Sequence, residues 1–223
     1  KKSGFYFYVP PSNGVPSAAI AYVYDLVDIL REQGYNAFIL HDKDYKTPMW
    51  MGGNYHNLPH LQFEQLKVKA SDFLFIPEVY VQPFFSDMHQ NGIKLPCEVI
   101  VLSQVSNFIL HSLDIGAEWY HWGVRSAITT SQTQKNYINR VMRGIDVDVV
   151  NPYIHEEFEK QENPQKPVVL VQCRNKEEGE RLAKEFSRMH PHYAWIPFKY
   201  LTNMDRVDYA KNIRECCVAA WID

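Results

Sequence analysis

The chain has 223 residues, 46% of them apolar, with 23 basic against 26 acidic side chains for a net charge of −3. That length suits one large domain or two small ones with ample material for a packed core. The near balance of charge excludes a general nucleic-acid binder, which carries a strongly basic face, and no run approaches the roughly 18 apolar residues of a membrane span.

Residues 5–9 form an aromatic apolar run that predicts a buried parallel strand, and the run is too short for the core of a signal peptide. A turn-rich loop from Pro10 to Pro16 follows, and Ser17 is a good helix N-cap. Ile20, Val23, Leu26, Val27 and Leu30 then share one helical stripe, which Gly34 ends. A second strand is expected at 37–40. Between 41 and 70, Pro48, Gly52, Gly53 and Pro59 break any period, so this stretch reads as mostly loop with one short amphipathic segment. Strands follow at 73–78, 98–102, 127–130 and 147–150. Helices are expected after the first of these, to about Gly92, and from a Ser131 cap to about Gly144.

From 155 the chain turns polar, acidic and proline-flanked, which predicts a solvated linker. Beyond it the pattern restarts, with strands at 168–172, 193–196 and 218–222 and helices at 177–189 and from Met204 to about Cys216. Alternation of this kind implies parallel sheets with right-handed crossovers. The expected organisation is an α/β, Rossmann-like parallel-sheet domain of six strands over 1–154, a linker over 155–166, and a partial second Rossmann-like domain over 167–223. The final strand stops where the next ligand-binding loop would begin, so the chain reads as incomplete at that point.

The four cysteines, Cys97, Cys173, Cys216 and Cys217, contain no Cys-x-x-Cys and sit mostly in apolar runs. They are expected to be reduced, in a cytoplasmic protein that is at most peripheral at the inner membrane. His56 and His60 are four apart, but Pro59 lies between them and no acidic or Cys ligand has matching spacing, so no metal is expected.

Chemistry is sought at the carboxyl ends of the strands, where open α/β sheets take ligand. The first strand-to-helix loop offers Ser12, Asn13 and Gly14: Gly14 permits close backbone approach, and the helix start offers free N–H groups to an anion. A purely structural turn competes with that reading. Glu78 follows the third strand as a candidate general base toward a sugar hydroxyl, or as a carboxylate that complements a helix dipole. Ser103 and Gln104 follow the fourth strand. Arg174 and Lys176 flank a helix start, where two cations suit a diphosphate. Gly-x-Ser-x-Gly, Gly-x-Gly-x-x-Gly and the Walker loop are all absent.

Three segments carry a resemblance. Residues 5–40 give strand, small-residue loop and the helix SAAIAYVYDLVDILREQGYNAFIL; residues 126–158 read SAITTSQTQKNYINRVMRGIDVDVVNPYIHEEF; residues 166–186 read KPVVLVQCRNKEEGERLAKEF. In this order, with YLTNMDRVDYAKNIRECCVAAWID at 200–223, the chain resembles GT-B fold glycosyltransferases of the retaining, nucleotide-sugar-dependent group. The resemblance implies transfer of a sugar from a nucleotide-diphosphate sugar to an acceptor glycan or a lipid or polysaccharide precursor, with no separate cofactor. Arg174 and Lys176 would contact the diphosphate, and Asn13 and Gly14 would lie near the reacting centre, with Glu78 and Gln104 as candidate catalytic groups. The family's Glu-x7-Glu-type segment would follow Asp223, and its cleft-facing His is replaced by Ser103-Gln104. The rival expectation is a non-catalytic module that binds a glycan, a protein partner or a second copy through its incomplete second domain.

Overall fold

In a computed structural model of the chain, the described residues are 2–11, 16–42, 48–51, 53–159, 166–173, 175–202 and 204–222. Two compact units emerge, one running to Tyr153 and the other built mainly from Ile154 onward.

The first unit begins with β1 (Gly4–Tyr8), α1 (Ala18–Glu32) and β2 (Asn36–His41). Next come β3 (His60–Gln62), β4 (Phe73–Pro77), α2 (Val81–Gln90) and β5 (Glu98–Ser103). The unit closes with β6 (Ser126–Thr129), α3 (Gln132–Val141) and β7 (Asp146–Val149). All seven strands pair in parallel, in the order β3-β2-β1-β4-β5-β6-β7. This is a Rossmann-like order with one strand added, and it places β1 and β4 at the centre.

Alternation along β1 decides what each face of the sheet sees. Phe5 and Phe7 stand opposite Phe73 and Phe75 of β4, and the rings stack with centroids 5.2 Å and 4.2 Å apart. On the other face Tyr6 stacks on Phe38 of β2 at 5.4 Å. Each such pair contributes on the order of 0.5–1.5 kcal/mol beyond area burial, so β1 is gripped from both sides. In α1, Ile20, Val23, Tyr24 and Val27 form the buried stripe, at spacings of three and four residues. Ser17 caps the helix by accepting from the Ile20 amide at 3.4 Å. At its far end Gly34 takes φ +78°, and the Gly34 and Tyr35 amides return to the Arg31 and Leu30 carbonyls. The core under α2 and α3 gathers Leu74, Ile76, Val101, Ile109, Ile138 and the fully buried Trp119.

The strand β3 lies within the stretch expected to be mostly loop. Three residues are too few for a readable alternation, and β3 exists through its parallel pairing with Ile39–His41 of β2.

The second unit comprises β8 (Lys166–Cys173), α4 (Lys176–Met189), β9 (Phe198–Tyr200), α5 (Arg206–Glu215) and β10 (Cys216–Ile222). Its parallel three-stranded sheet has the order β10-β8-β9 over a small core of Leu170, Leu201 and Cys216. The strand expected at 193–196 is absent: Pro191 opens a 3-10 turn through Tyr193, Trp195 is 66% exposed, and the strand forms only after Pro197. The α5 helix starts from Asp205, whose carboxylate accepts from the Asp208 amide at 2.9 Å, rather than from Met204. The front of the expected linker forms a 3-10 turn, Glu156–Phe158, beside α5: Arg206 lies 2.9 Å from His155 and 3.7 Å from Glu157, and Phe158 packs edge-on to Tyr209. The four cysteines are free thiols, Cys97 and Cys216 buried and Cys217 exposed. Among the described residues no helix is long and apolar enough to cross a membrane.

His41 at the end of β2 and His60 at the start of β3 stack with ring centroids 4.9 Å apart and a nitrogen–nitrogen separation of 2.6 Å. Burial, then the neighbouring His60, lower His41 to about 4, against a backbone hydrogen bond at Val9 that raises it. Burial lowers His60 as well. The folded state therefore keeps His41 neutral, while the unfolded chain protonates it near pH 6.5. Stability present above that value is lost as pH falls toward 4, by about 3 kcal/mol for His41 alone at the lower limit. Thermal melts recorded from neutral pH to about pH 4.5 should show the midpoint falling through this window, with a shallower fall in His41→Gln.

Candidate functional site

The strand succession reverses between β1 and β4, so the connections leaving them diverge and open a crevice at the carboxyl edge. Tyr8, the last residue of β1, donates from its hydroxyl to Oδ2 of Asp42, just past β2, at 2.8 Å. Tyr80, in the 3-10 turn after β4, meets the Tyr8 ring edge to face at 5.4 Å. With Phe63, Phe84 and Asp87 they line a cleft of about 200 Å³. That is below the roughly 300–1,000 Å³ of drug-sized sites, so it suits a single ring-sized group. Burial, then the Asp42 bond, hold the Tyr8 hydroxyl well above the ordinary phenol range. Burial and then Asp42 raise Tyr80 too. Both phenols thus stay protonated donors, while Asp42 and Asp87 are acceptors.

Glu78 stands beneath this edge with only 4% exposure. Its Oε1 accepts from the backbone amides of Gln104 at 3.0 Å and Val105 at 2.9 Å. Burial raises its carboxyl above the usual range, and those amide bonds oppose the rise. In this geometry Glu78 is a positioning residue that fixes the turn after β5. Gln104 donates from Nε2 to the Ala19 carbonyl at 3.1 Å, tying the same turn to the start of α1. Ser103 is fully buried, its hydroxyl 3.0 Å from the Gln134 side chain. The Gln134 amide satisfies most partners with its nitrogen toward the Gln104 carbonyl and Thr129 Oγ1, and its oxygen accepting from Ser103 Oγ and the Val105 amide. Ser103, Gln104 and Glu78 therefore meet in one buried polar network that holds α1 and α3 against the sheet edge.

Ser12, Asn13, Gly14 and Arg174 lie outside the described residues. In the second unit Lys176 is the first residue of α4, its side chain 74% exposed and 3.5 Å from Glu180. Asn175 caps that helix by accepting from the Glu177 amide at 2.9 Å, and Glu177 and Glu178 stand in the first turn. Among the described residues no group of three or more His, Cys, Asp or Glu side chains is gathered for a metal ion.

Tyr8, Asp42, Tyr80 and Gln134 were not among the residues expected from the sequence. Asp42 was findable as the first acidic residue past the second strand. Gln134 is one turn before Ile138 on the inward face of α3, a spacing that signals burial.

Compared with known proteins, the sequence matches no family model and no curated protein.

Glu78→Ala removes the acceptor from two part-buried amides. Val105 has Gln134 as a second acceptor, so the loss falls mainly on the Gln104 amide and should cost about 1–3 kcal/mol. Glu78→Gln keeps a carbonyl in place and should lose less. Urea denaturation midpoints of the two variants check this ordering.

Proposed function

We propose that the chain is a glycosyltransferase-like protein that moves a sugar from a nucleotide-diphosphate sugar to an acceptor glycan or to a lipid or polysaccharide precursor. The supporting observation is the Tyr8–Asp42–Tyr80 cleft at the strand reversal. A carboxylate accepts from sugar hydroxyls, phenols donate to them, and aromatic rings pack against the apolar face of a pyranose. In this reading the first unit holds the acceptor, and Glu78 and Gln104 keep the edge in shape around the reacting centre. Ser12, Asn13 and Gly14 are the substrate-binding residues this reading assigns to the first strand-to-helix loop. Arg174, Lys176 and the start of α4 take the charge that develops on the diphosphate leaving group.

A non-catalytic, glycan-binding module is the second reading, and one feature favours it. The α4 start is already capped by Asn175, and Glu177 and Glu178 set two negative charges where a diphosphate would bind.

The two readings separate in a thermal-shift panel of UDP, GDP, ADP and their sugar conjugates. A nucleotide at 100 times its dissociation constant should add about 2.7 kcal/mol, a rise of several degrees, and Arg174→Ala with Lys176→Ala should abolish it. No rise with any nucleotide, or a rise the double variant leaves intact, would sink the transferase reading and leave the glycan-binding one.

A further inference from the structure

A second concavity in the first unit lies at the opposite, amino edge of the sheet. Its cleft of about 760 Å³ opens between the end of α2, the segment leading into β5 and the segment leading into β6. Three aliphatic side chains, Ile93, Leu95 and Val99, and two sulfur-bearing ones, Met88 and Cys97, supply the wall, along with the rings of Phe85 and Trp122. Those two rings lie within 9° of parallel at 6.4 Å. Ile93 is 51% exposed, so apolar surface is open to solvent there.

The polar groups sit around this wall and are unequal in charge. Arg125 is fixed by two bonds from Nη1, to the Tyr120 and Val124 carbonyls at 3.1 and 3.0 Å. Lys94 is exposed and makes no ion pair among the described residues. Glu98 accepts from Ser126 Oγ at 2.7 Å. Among the lining side chains two cations stand against one carboxylate, and the buried Asp72 carboxylate near Cys97 is already engaged by the Gly4 and Lys69 amides. An apolar wall with two cations at its margin complements a long apolar body bearing one negative charge. The non-aromatic majority of the wall favours a flexible chain over a flat ring, and the volume exceeds what one ring fills.

We propose that this cleft is a binding site for an unbranched acyl carboxylate. The chain lies on Phe85, Met88, Leu95 and Trp122, and the carboxylate is met by Lys94 and Arg125. The site meets the carboxyl-edge cleft only at Met88 of α2, which lines both, and it does not depend on the sugar-transfer reading.

The test titrates dodecanoate, below its micelle concentration, into the full chain by calorimetry, with tryptophan fluorescence in parallel. Saturable binding is expected at one site, with acetate and dodecyltrimethylammonium each at least about tenfold weaker, because one lacks the chain and the other reverses the charge. Loss of a charge-assisted bond in Lys94→Glu should weaken dodecanoate about tenfold, and Lys94 is exposed enough for the fold to survive the change. Trp122→Phe should retain binding and lose much of the fluorescence response. Equal binding of the ammonium, no saturation with dodecanoate, or an unchanged affinity in Lys94→Glu would overturn the assignment. Binding to phosphatidylglycerol vesicles without binding of free dodecanoate would also overturn it, in favour of a lipid surface.

Discussion

The aromatic ladder between β1 and β4 is the constraint on which the first unit rests. Phe5 over Phe73 and Phe7 over Phe75 fix both the parallel direction and the register of the two central strands. A slip of one residue would drive Tyr6 and Tyr8 to the face that Phe5 and Phe7 occupy. Once that pair is set, the chain must build outward in two directions, β2 and β3 to one side and β5, β6 and β7 to the other. The divergence of their connections is what creates a crevice at all. Tyr8 reaches Asp42 and Tyr80 only because alternation along β1 places it on the face opposite Phe7.

The two edges of the sheet differ in chemistry because different groups terminate the strands. At the carboxyl edge, side chains just past the strand ends and one from α3 tie loops down: Glu78 holds the turn after β5, Gln104 holds α1, and Gln134 of α3 holds Ser103 and Thr129. A satisfied buried network of this kind rigidifies its surroundings, and every member left unpaired would cost stability. At the amino edge the wall is apolar, and charge stands around it on Lys94, Glu98 and Arg125. Such a division leaves hydrogen-bonding groups at one edge and apolar surface bordered by charge at the other.

Much of the first unit was legible in the sequence because its elements carry strong local signals. The β1 run, the Ser17 and Ser131 caps and the Gly34 stop each have a direct physical meaning, and each stands in the structure where the pattern put it. The failures share a cause. β3 is three residues long and owes its existence to a neighbour, while the apolar Tyr193–Ile196 run imitates a strand although flanking prolines dictate a turn and a later start. At the candidate site the signals were weaker still. Tyr8 looked like core, and its partner Asp42 is 34 positions away in the chain, so only the fold brings them together. Glu78 and Ser103 were visible as strand-end polar residues, but sequence cannot tell a side chain that faces ligand from one that faces backbone amides.

The proposed function stands on hydroxylated ligands binding at the Tyr8–Asp42–Tyr80 cleft. The most direct measurement is a glycan array probed in parallel with the wild-type chain and Asp42→Asn. A defined set of glycans should be bound by the wild type and lost in the variant, with the melting midpoints of the two proteins close together. Equal binding of the same glycans by both proteins, or no glycan bound by the wild type, would contradict it.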